Sequence, residues 1–116
     1  FEVFKEDWLA VFIDVTKKKE YVIINNPDEL KALYEANSKD IWVGYNNRHY
    51  DQYIMKGILL GMNPKRINDW IIVEKKEGWQ FSSAFNKVPM INYDVMPNPP
   101  VGFLAAISRK RMLILE

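Results

Sequence analysis

The first quarter of the chain has the apolar spacing of three β-strands. Phe1–Phe4 reads as a short strand, and Trp8–Val15 is an apolar run rich in aromatic and β-branched residues, typical of a strand buried on both faces. Tyr21–Ile24 follows the charged turn Lys17–Glu20 and predicts a third strand. Because the turns between these strands are short, we expect an antiparallel meander.

The apolar period then changes to that of a helix between Asn25 and Lys39. Asn26 is suited to cap this helix, Pro27 to fill its first position, and Glu29 stands at the spacing of a capping box. The apolar side chains that would share one helical face are Leu30, Leu33 and Tyr34. These signals predict the first helix.

The middle of the chain predicts a fourth strand, two more helices and a fifth strand. Ile41–Tyr45 follows the first helix, so we expect it to run parallel to the first strand. Asp51–Leu60 has the pattern of a helix that Gly61 stops, and Asn63–Pro64 begins a third helix. Val88–Met96 predicts the fifth strand.

Three prolines between Met96 and Pro100 end the fifth strand. We therefore expect one domain at residues 1–96 and a divergent, loosely attached tail at residues 97–116. Within that tail, Leu104–Leu115 is apolar with a basic middle and could be helix or strand. The elements together predict an α/β domain whose mixed sheet begins with the meander and continues with parallel strands flanked by helices.

Composition narrows the class of protein without deciding its function. The chain has 116 residues, 48% hydrophobic and 27% charged, which indicates one globular domain rather than a disordered segment. It has no cysteine, which excludes a disulfide scaffold and a thiolate metal site and is compatible with the cytosol. No apolar run approaches the roughly 20 residues that span a membrane. The net charge of +1 does not exclude a nucleic-acid enzyme, because metal-binding carboxylates offset lysines.

Two carboxylates are candidates for a functional site at the edge of the predicted α/β sheet. Glu2 lies between Phe1 and Val3 in the first strand, where a carboxylate is costly unless it is paired, metal-bound or on a solvent-facing position. Asp51 follows the fourth strand, and the carboxyl ends of parallel strands are where such sheets bind ligands. The plainer interpretation of Asp51 is a helix cap.

The element order is that of the opening of the ribonuclease H-like fold, in which strands one and four are neighbours. In that topology Glu2 and Asp51 would face one point above the sheet. Clustered carboxylates repel unless a divalent cation holds them, and oxygen ligands suit Mg²⁺ or Mn²⁺. Two such ions can activate water and stabilise the leaving oxygen of a phosphodiester.

Two segments resemble exonuclease motifs of proofreading DNA polymerases. Gly44–Ile54, with the sequence GYNNRHYDQYI, resembles the second motif, N-x(2,3)-(F/Y)-D. The opening FEVFK resembles the first motif, D-x-E, without its aspartate. The stretch Phe1–Met96 as a whole resembles the exonuclease part of phage-type DNA polymerases of Gram-positive bacteria and their prophages.

The resemblance assigns a role to four residues. It places Glu2 in metal and scissile-phosphate chemistry and Asp51 in the metal site. It assigns Asn46 to positioning of the substrate or the loop and Tyr50 to support of that loop. The third motif, Y-x3-D, does not occur after Tyr93. We therefore expect a ribonuclease H-like domain that is incomplete at both ends and that shows two of four carboxylates.

The function that follows is a 3′–5′ exonuclease acting on single-stranded DNA 3′ ends with two Mg²⁺ or Mn²⁺ ions. The partner would be a polymerase domain in cis or in trans, in the cytoplasm of a bacterial host. The chain by itself is expected to be inactive or nearly so.

Two other interpretations stay open at this stage. The chain could be a non-catalytic ribonuclease H-like module that binds nucleic acid or a polymerase. It could also be an unrelated α/β domain in which Glu2 and Asp51 never meet. Asp94 could be a third metal ligand, although the resemblance places it on a strand after the second motif. His49, the only histidine, is most simply an exposed loop residue.

Overall fold

A six-stranded mixed sheet organises the chain. A computed structural model of the protein describes residues 1–94 and 112–115, and of the last four it describes the side chains of Leu113 and Leu115. The strands, in chain order, are β1 (Glu2–Val3), β2 (Trp8–Asp14), β3 (Lys19–Ile24), β4 (Ile41–Gly44), β5 (Ile91–Asp94) and β6 (Met112–Leu115). The α-helices are α1 (Pro27–Ala36), α2 (Gln52–Leu59) and α3 (Pro64–Asn68).

The strand pairing confirms an α/β architecture with an antiparallel and a parallel part. β2 is antiparallel to β1, β3 and β6, so the predicted meander is present. β4 pairs in parallel with both β5 and β6. β1 and β6 are both antiparallel to β2, and β4 is parallel to β6. β4 therefore runs in the same direction as β1, as predicted.

The prediction that strands one and four are neighbours is wrong. Within the described residues β1 pairs only with β2, and β6 lies between β2 and β4. Gly44 permits this arrangement, because a Cβ built there would lie 3.1 Å from the Cβ of Leu115. A bulkier residue at the end of β4 would therefore push β6 away.

The expectation of a loosely attached tail is also wrong for the residues that can be compared. Leu113 and Leu115 are buried in the middle of the sheet, where β6 has a partner strand on each side. An apolar segment with a strand on both edges satisfies its backbone hydrogen bonds and removes its side chains from water. Residues 95–111 and 116, including Leu104 and Ile107, lie outside the described residues.

One face of β2 is fully buried and the other is half-buried. Trp8, Ala10, Phe12 and Asp14 point to the main core, while the intervening residues are partly exposed. Phe12 packs edge-on against the ring of Trp42, with the two centroids 5.7 Å apart. The predicted strand is therefore present, but only one of its two faces is completely buried.

The helices begin where their capping residues predict. The side chain of Asn26 accepts a hydrogen bond from the backbone N–H of Glu29 at 3.1 Å, and α1 starts at Pro27. Asn63 accepts from the backbone N–H of Lys65 at 2.9 Å and caps α3. The buried residues of α1 are Leu30 and Leu33, as the helical spacing indicates. None of the helices within residues 1–94 and 112–115 has the length and apolar character needed to cross a membrane.

The segment between β4 and α2 differs from its prediction. Asp51 was expected to begin an α-helix, but Asn47–Asp51 forms a π-helical turn and α2 starts one residue later. A second π-helical turn, Asp69–Val73, follows α3. Between this turn and β5 lie the 3₁₀ turns Gly78–Gln80 and Ser83–Lys87.

Candidate functional site

The π-helical turn after β4 reverses the chain at the carboxyl end of the parallel strands. Asn46, just before the turn, has φ of +56°, a left-handed conformation that asparagine tolerates better than most residues. Its carbonyl oxygen accepts from the backbone N–H of His49 at 3.2 Å and of Tyr50 at 3.0 Å. Asp51, the last residue of the π-helical turn, is buried.

Buried polar contacts fix this turn on the sheet. Asn47 is fully buried, and its side-chain amide donates to the carbonyl of Trp42 at 3.1 Å and to Oδ1 of Asn92 at 2.9 Å. Asp94 Oδ1 accepts from the backbone N–H of Arg48 at 2.9 Å. Asn47 and Asn92 were not identified from the sequence. The sequence signal that could have identified Asn92 is in β5, where polar residues alternate with Ile91 and Tyr93.

Asp51 holds a buried carboxylate that faces a cation. Its Oδ1 accepts a hydrogen bond from the α-ammonium group of Phe1 at 3.1 Å. Burial raises the pKa of the Asp51 carboxyl, the Phe1 ammonium opposes that rise by its charge and its hydrogen bond, and the charge of Asp94 adds to it. The carboxylate is thus costly to ionise and strongly disposed to bind a positive charge.

Glu2 and Asp51 line the same pocket. The pocket has a volume of about 320 Å³ and is lined by all four residues that the sequence singled out. Those residues are Glu2, Asn46, Tyr50 and Asp51, and the rest of the wall is Phe1, Tyr45 and Leu115. Glu2 itself is exposed, on the strand position opposite Leu9. The structure therefore brings the four residues together, and their roles in chemistry stay predictions.

Tyr50 ties the pocket to α3. Its hydroxyl donates a hydrogen bond to Oδ1 of Asn68 at 2.5 Å. Burial, together with the charges of Asp51 and Asp69, raises the pKa of the Tyr50 hydroxyl to about 12. The hydroxyl consequently stays protonated at neutral pH and acts as a fixed donor. Through this hydrogen bond Tyr50 can support the π-helical turn by tying it to α3.

The pocket offers oxygen ligands to a hard cation. Glu2 and Asp51 are carboxylates that line the pocket, and carboxylate oxygens are the ligands that hard divalent cations prefer. Within residues 1–94 and 112–115 no group of three or more His, Cys, Asp or Glu side chains is placed to hold a metal ion. The two pocket carboxylates therefore fit Mg²⁺ or Mn²⁺ by donor type and provide part of a coordination set.

Comparison of the chain with models of protein families, with curated proteins and with solved structures finds no match.

Proposed function

We propose that this chain is the front part of a 3′–5′ exonuclease domain of the ribonuclease H-like fold, associated with a phage-type DNA polymerase. Its substrate is the 3′ end of single-stranded DNA, and its cofactors are two Mg²⁺ or Mn²⁺ ions. The observation that carries the proposal is the pocket in which Glu2, Asn46, Tyr50 and Asp51 meet. Sequence motifs selected these four residues with no knowledge of their positions in space.

The sheet supports the proposal through the position of that pocket. It opens where β4 and β6, two parallel strands, reach their carboxyl ends. Open α/β sheets bind their ligands at this edge, because the loops leaving the strands surround it. An antiparallel meander followed along the chain by parallel strands is also the element order expected of the ribonuclease H-like fold, although here β6, and not β1, lies beside β4.

The chemistry of the pocket favours hydrolysis by water. The chain has no cysteine and one histidine, so a thiolate nucleophile is excluded. Glu2 and Asp51 are the residues that would hold the ions, which supply an activated water and stabilise the leaving oxygen when bound. Asn46 is exposed and in this proposal would position a nucleotide, while Tyr50 supports the turn through its hydrogen bond to Asn68.

A second candidate function is a non-catalytic ribonuclease H-like module that binds single-stranded DNA. The observation that favours it is that the pocket has two carboxylates, whereas the proposed two-ion site uses four. Both functions predict DNA binding, but only the exonuclease predicts shortening of the 3′ end in the protein that completes the site. The two are therefore separable by one assay.

The test uses a protein in which this chain carries an aspartate before Phe1 and a downstream Y-x3-D motif. A 5′-labelled single-stranded oligonucleotide is incubated with that protein and Mg²⁺ or Mn²⁺. We expect stepwise shortening from the 3′ end, and a loss of roughly a thousand-fold or more in rate for Asp51→Ala.

Glu6→Gln provides the matched control, because Glu6 is an exposed carboxylate near β1 that does not line the pocket. It should cleave at the parental rate. If the completed protein binds the oligonucleotide but does not shorten it, the non-catalytic function is correct. If Asp51→Ala cleaves at the parental rate, Asp51 is only a structural residue of the turn.

A further inference from the structure

Gln52, the first residue of α2, joins three elements through one side chain. Its Nε2 donates a hydrogen bond to the backbone carbonyl of Arg48, in the π-helical turn Asn47–Asp51, at 2.6 Å. Its Oε1 accepts from Nδ2 of Asn92 on β5 at 3.1 Å and from Nζ of Lys56 on α2 at 3.0 Å. The amide of Gln52 therefore connects the turn with the helix that follows it and with the parallel part of the sheet.

The hydrogen bonds continue from Gln52 to the buried base of the turn. Oδ1 of Asn92 accepts from Nδ2 of Asn47 at 2.9 Å, and the same Nδ2 group donates to the carbonyl of Trp42. Asn92 stands opposite Trp42 in the pairing of β4 with β5. We call Asn47, Asn92 and Gln52 the amide chain. It runs from the parallel strands to the start of α2.

The donors and acceptors around the amide chain fix the direction of its amides. The carbonyl of Arg48 only accepts, so the NH₂ group of Gln52 has to face it. The carbonyl of Trp42 makes the same demand on Asn47. The ammonium of Lys56 only donates, so it has to meet the oxygen of Gln52. Reversing one amide would oppose two donors or two acceptors in a partly buried site, which is costly because water does not replace the lost hydrogen bonds there.

Lys56 depends on the oxygen of Gln52. The side chain of Lys56 is half-buried, and burial lowers the pKa of its ammonium group. No salt bridge within residues 1–94 and 112–115 includes Lys56, whose nitrogen lies 5.9 Å from the centre of the Tyr53 ring. An apolar side chain at position 52 would therefore remove the acceptor that this half-buried cation has.

Local helix chemistry alone would favour glutamate at position 52. A carboxylate in the first turn of a helix interacts favourably with the helix dipole, and glutamate four residues before lysine is the stabilising order of such a pair. A carboxylate, however, has no proton to donate to the carbonyl of Arg48. Gln52→Glu therefore separates two roles: a residue of the helix surface predicts a gain in stability, and a member of the amide chain predicts a loss.

We propose that Gln52 is a positioning residue of the candidate site. Its amide holds the π-helical turn that ends in Tyr50 and Asp51, and so keeps both side chains at the pocket. Gln52 acts through the turn, because the described residues that line the pocket do not include it. The part that Gln52 plays in catalysis rests on the proposed exonuclease function, whereas its hold on the turn does not.

Thermal unfolding of the chain at neutral pH is the first test. Gln52→Glu and Gln52→Met should each melt roughly 4 °C or more below the parent, because each loses the donor to Arg48. Gln80, the other glutamine of the chain, is exposed. Gln80→Glu and Gln80→Met are therefore the matched controls and should melt with the parent. An unchanged or raised melting temperature for Gln52→Glu would overturn the proposal.

Hydrogen exchange, measured residue by residue, shows whether the loss is confined to the turn. The backbone N–H of Tyr50 donates to the carbonyl of Asn46, and that of residue 52 donates to the carbonyl of Asn47. In Gln52→Met, exchange at these two positions should rise roughly ten-fold or more relative to exchange in β2. Gln52→Asn, which is one methylene shorter, takes its place if Gln52→Met does not fold. An equal change in the turn and in β2 would show that Gln52 stabilises the whole domain, and the proposal would be wrong.

The last measurement uses the completed protein that tests the exonuclease function. Gln52→Met should lower kcat on the single-stranded oligonucleotide by roughly ten-fold or more and leave KM within about two-fold, because a displaced Asp51 affects the reacting centre more than the binding of DNA. Gln80→Met should cleave at the parental rate. If the completed parent cleaves and Gln52→Met keeps its kcat, Gln52 does not position the site and the proposal is wrong. If the completed parent does not cleave, the exonuclease function fails, and hydrogen exchange alone decides whether Gln52 holds the turn.

Discussion

The α-ammonium group of Phe1 donates a hydrogen bond to the carboxylate of Asp51, with 3.1 Å between the nitrogen and Oδ1. The contact joins the start of β1 to the end of the π-helical turn, which are 50 residues apart in the chain. The contact is part-buried, and 12% of the Asp51 side chain is exposed. Removing one partner should therefore affect the other.

Replacing Asp51 by asparagine should change how stability depends on pH. Burial raises the pKa of the Asp51 carboxyl, so the folded state binds this proton more tightly than the unfolded state. The stability that the Asp51 carboxyl contributes to the folded state is thus present at low pH and is lost as the pH rises through the raised pKa. Asparagine keeps an oxygen acceptor for Phe1 but does not ionise. We expect the stability of Asp51→Asn relative to the parent to increase as the pH rises above about 4, the ordinary pKa of an aspartate.

Urea unfolding at a series of pH values measures this difference. The exposed carboxylate Glu6 offers the comparison, and Glu6→Gln should not reproduce the gain. A stability difference between Asp51→Asn and the parent that is constant over the whole range would contradict the prediction.

Phe12 should be among the most costly residues to truncate. It is fully buried, and its ring contacts those of Phe1 and Trp42 edge-on. We expect Phe12→Ala to lower the free energy of unfolding by about 3–5 kcal/mol. Val22 lies on the half-exposed face of the same meander, and Val22→Ala should cost less than about 1 kcal/mol. Chemical denaturation of both variants checks the prediction, and similar losses would show that the two faces are equally packed.

The close approach of α2 to α3 should be sensitive to one methyl group. A Cβ built on Gly57 would lie 2.0 Å from Cδ1 of Ile67, which is fully buried. We expect Gly57→Ala to cost about 1–3 kcal/mol through overpacking. Ile67→Val removes the clashing atom, so the double variant should recover at least about 0.5 kcal/mol relative to additivity. Strict additivity of the two substitutions would argue against this contact.

The hydroxyl of Tyr50 should contribute to stability through one hydrogen bond. Tyr50→Phe removes the donor to Asn68 and should cost about 0.5–1.5 kcal/mol. Tyr45 lines the same pocket but is exposed, and Tyr45→Phe should be nearly neutral. Thermal unfolding of the two single variants compares them directly. An equal effect would show that the Tyr50 hydroxyl does not brace the turn.

Local chemistry predicted the helices well, because their starts depend on neighbouring residues. The cap of α1 at Asn26 and that of α3 at Asn63 follow from side-chain oxygens that reach the next backbone N–H groups. The start of α2 was displaced because buried contacts of Asn47, which involve β4 and Asn92, favour a π-helical turn. The contact with Asn92 joins residues 45 positions apart and leaves little trace in local spacing.

The centre of the sheet was the least predictable part. The strand that fills it, β6, follows a proline-rich segment and has a sequence compatible with helix or strand. Its place is decided by the unpaired edges of β2 and β4, which are distant in the chain. The meeting of Glu2 and Asp51 in one pocket was predictable, because motif resemblance and the edge of a parallel sheet both indicated it.

The end-to-end placement of β1 and β6 has a mechanical consequence. β1 pairs with Trp8 and Leu9, and β6 pairs with Phe12 to Asp14 on the same edge of β2, so Phe1 and Leu115 face each other. We consider a stretching force applied between these two residues. Such a force would load the outermost pair of each strand first, Glu2 with Leu9 and Leu115 with Phe12, and then the next pair in turn. Hydrogen bonds broken in succession resist less than bonds sheared together. The domain should therefore be pulled apart by peeling at low force, while its core remains thermodynamically well packed.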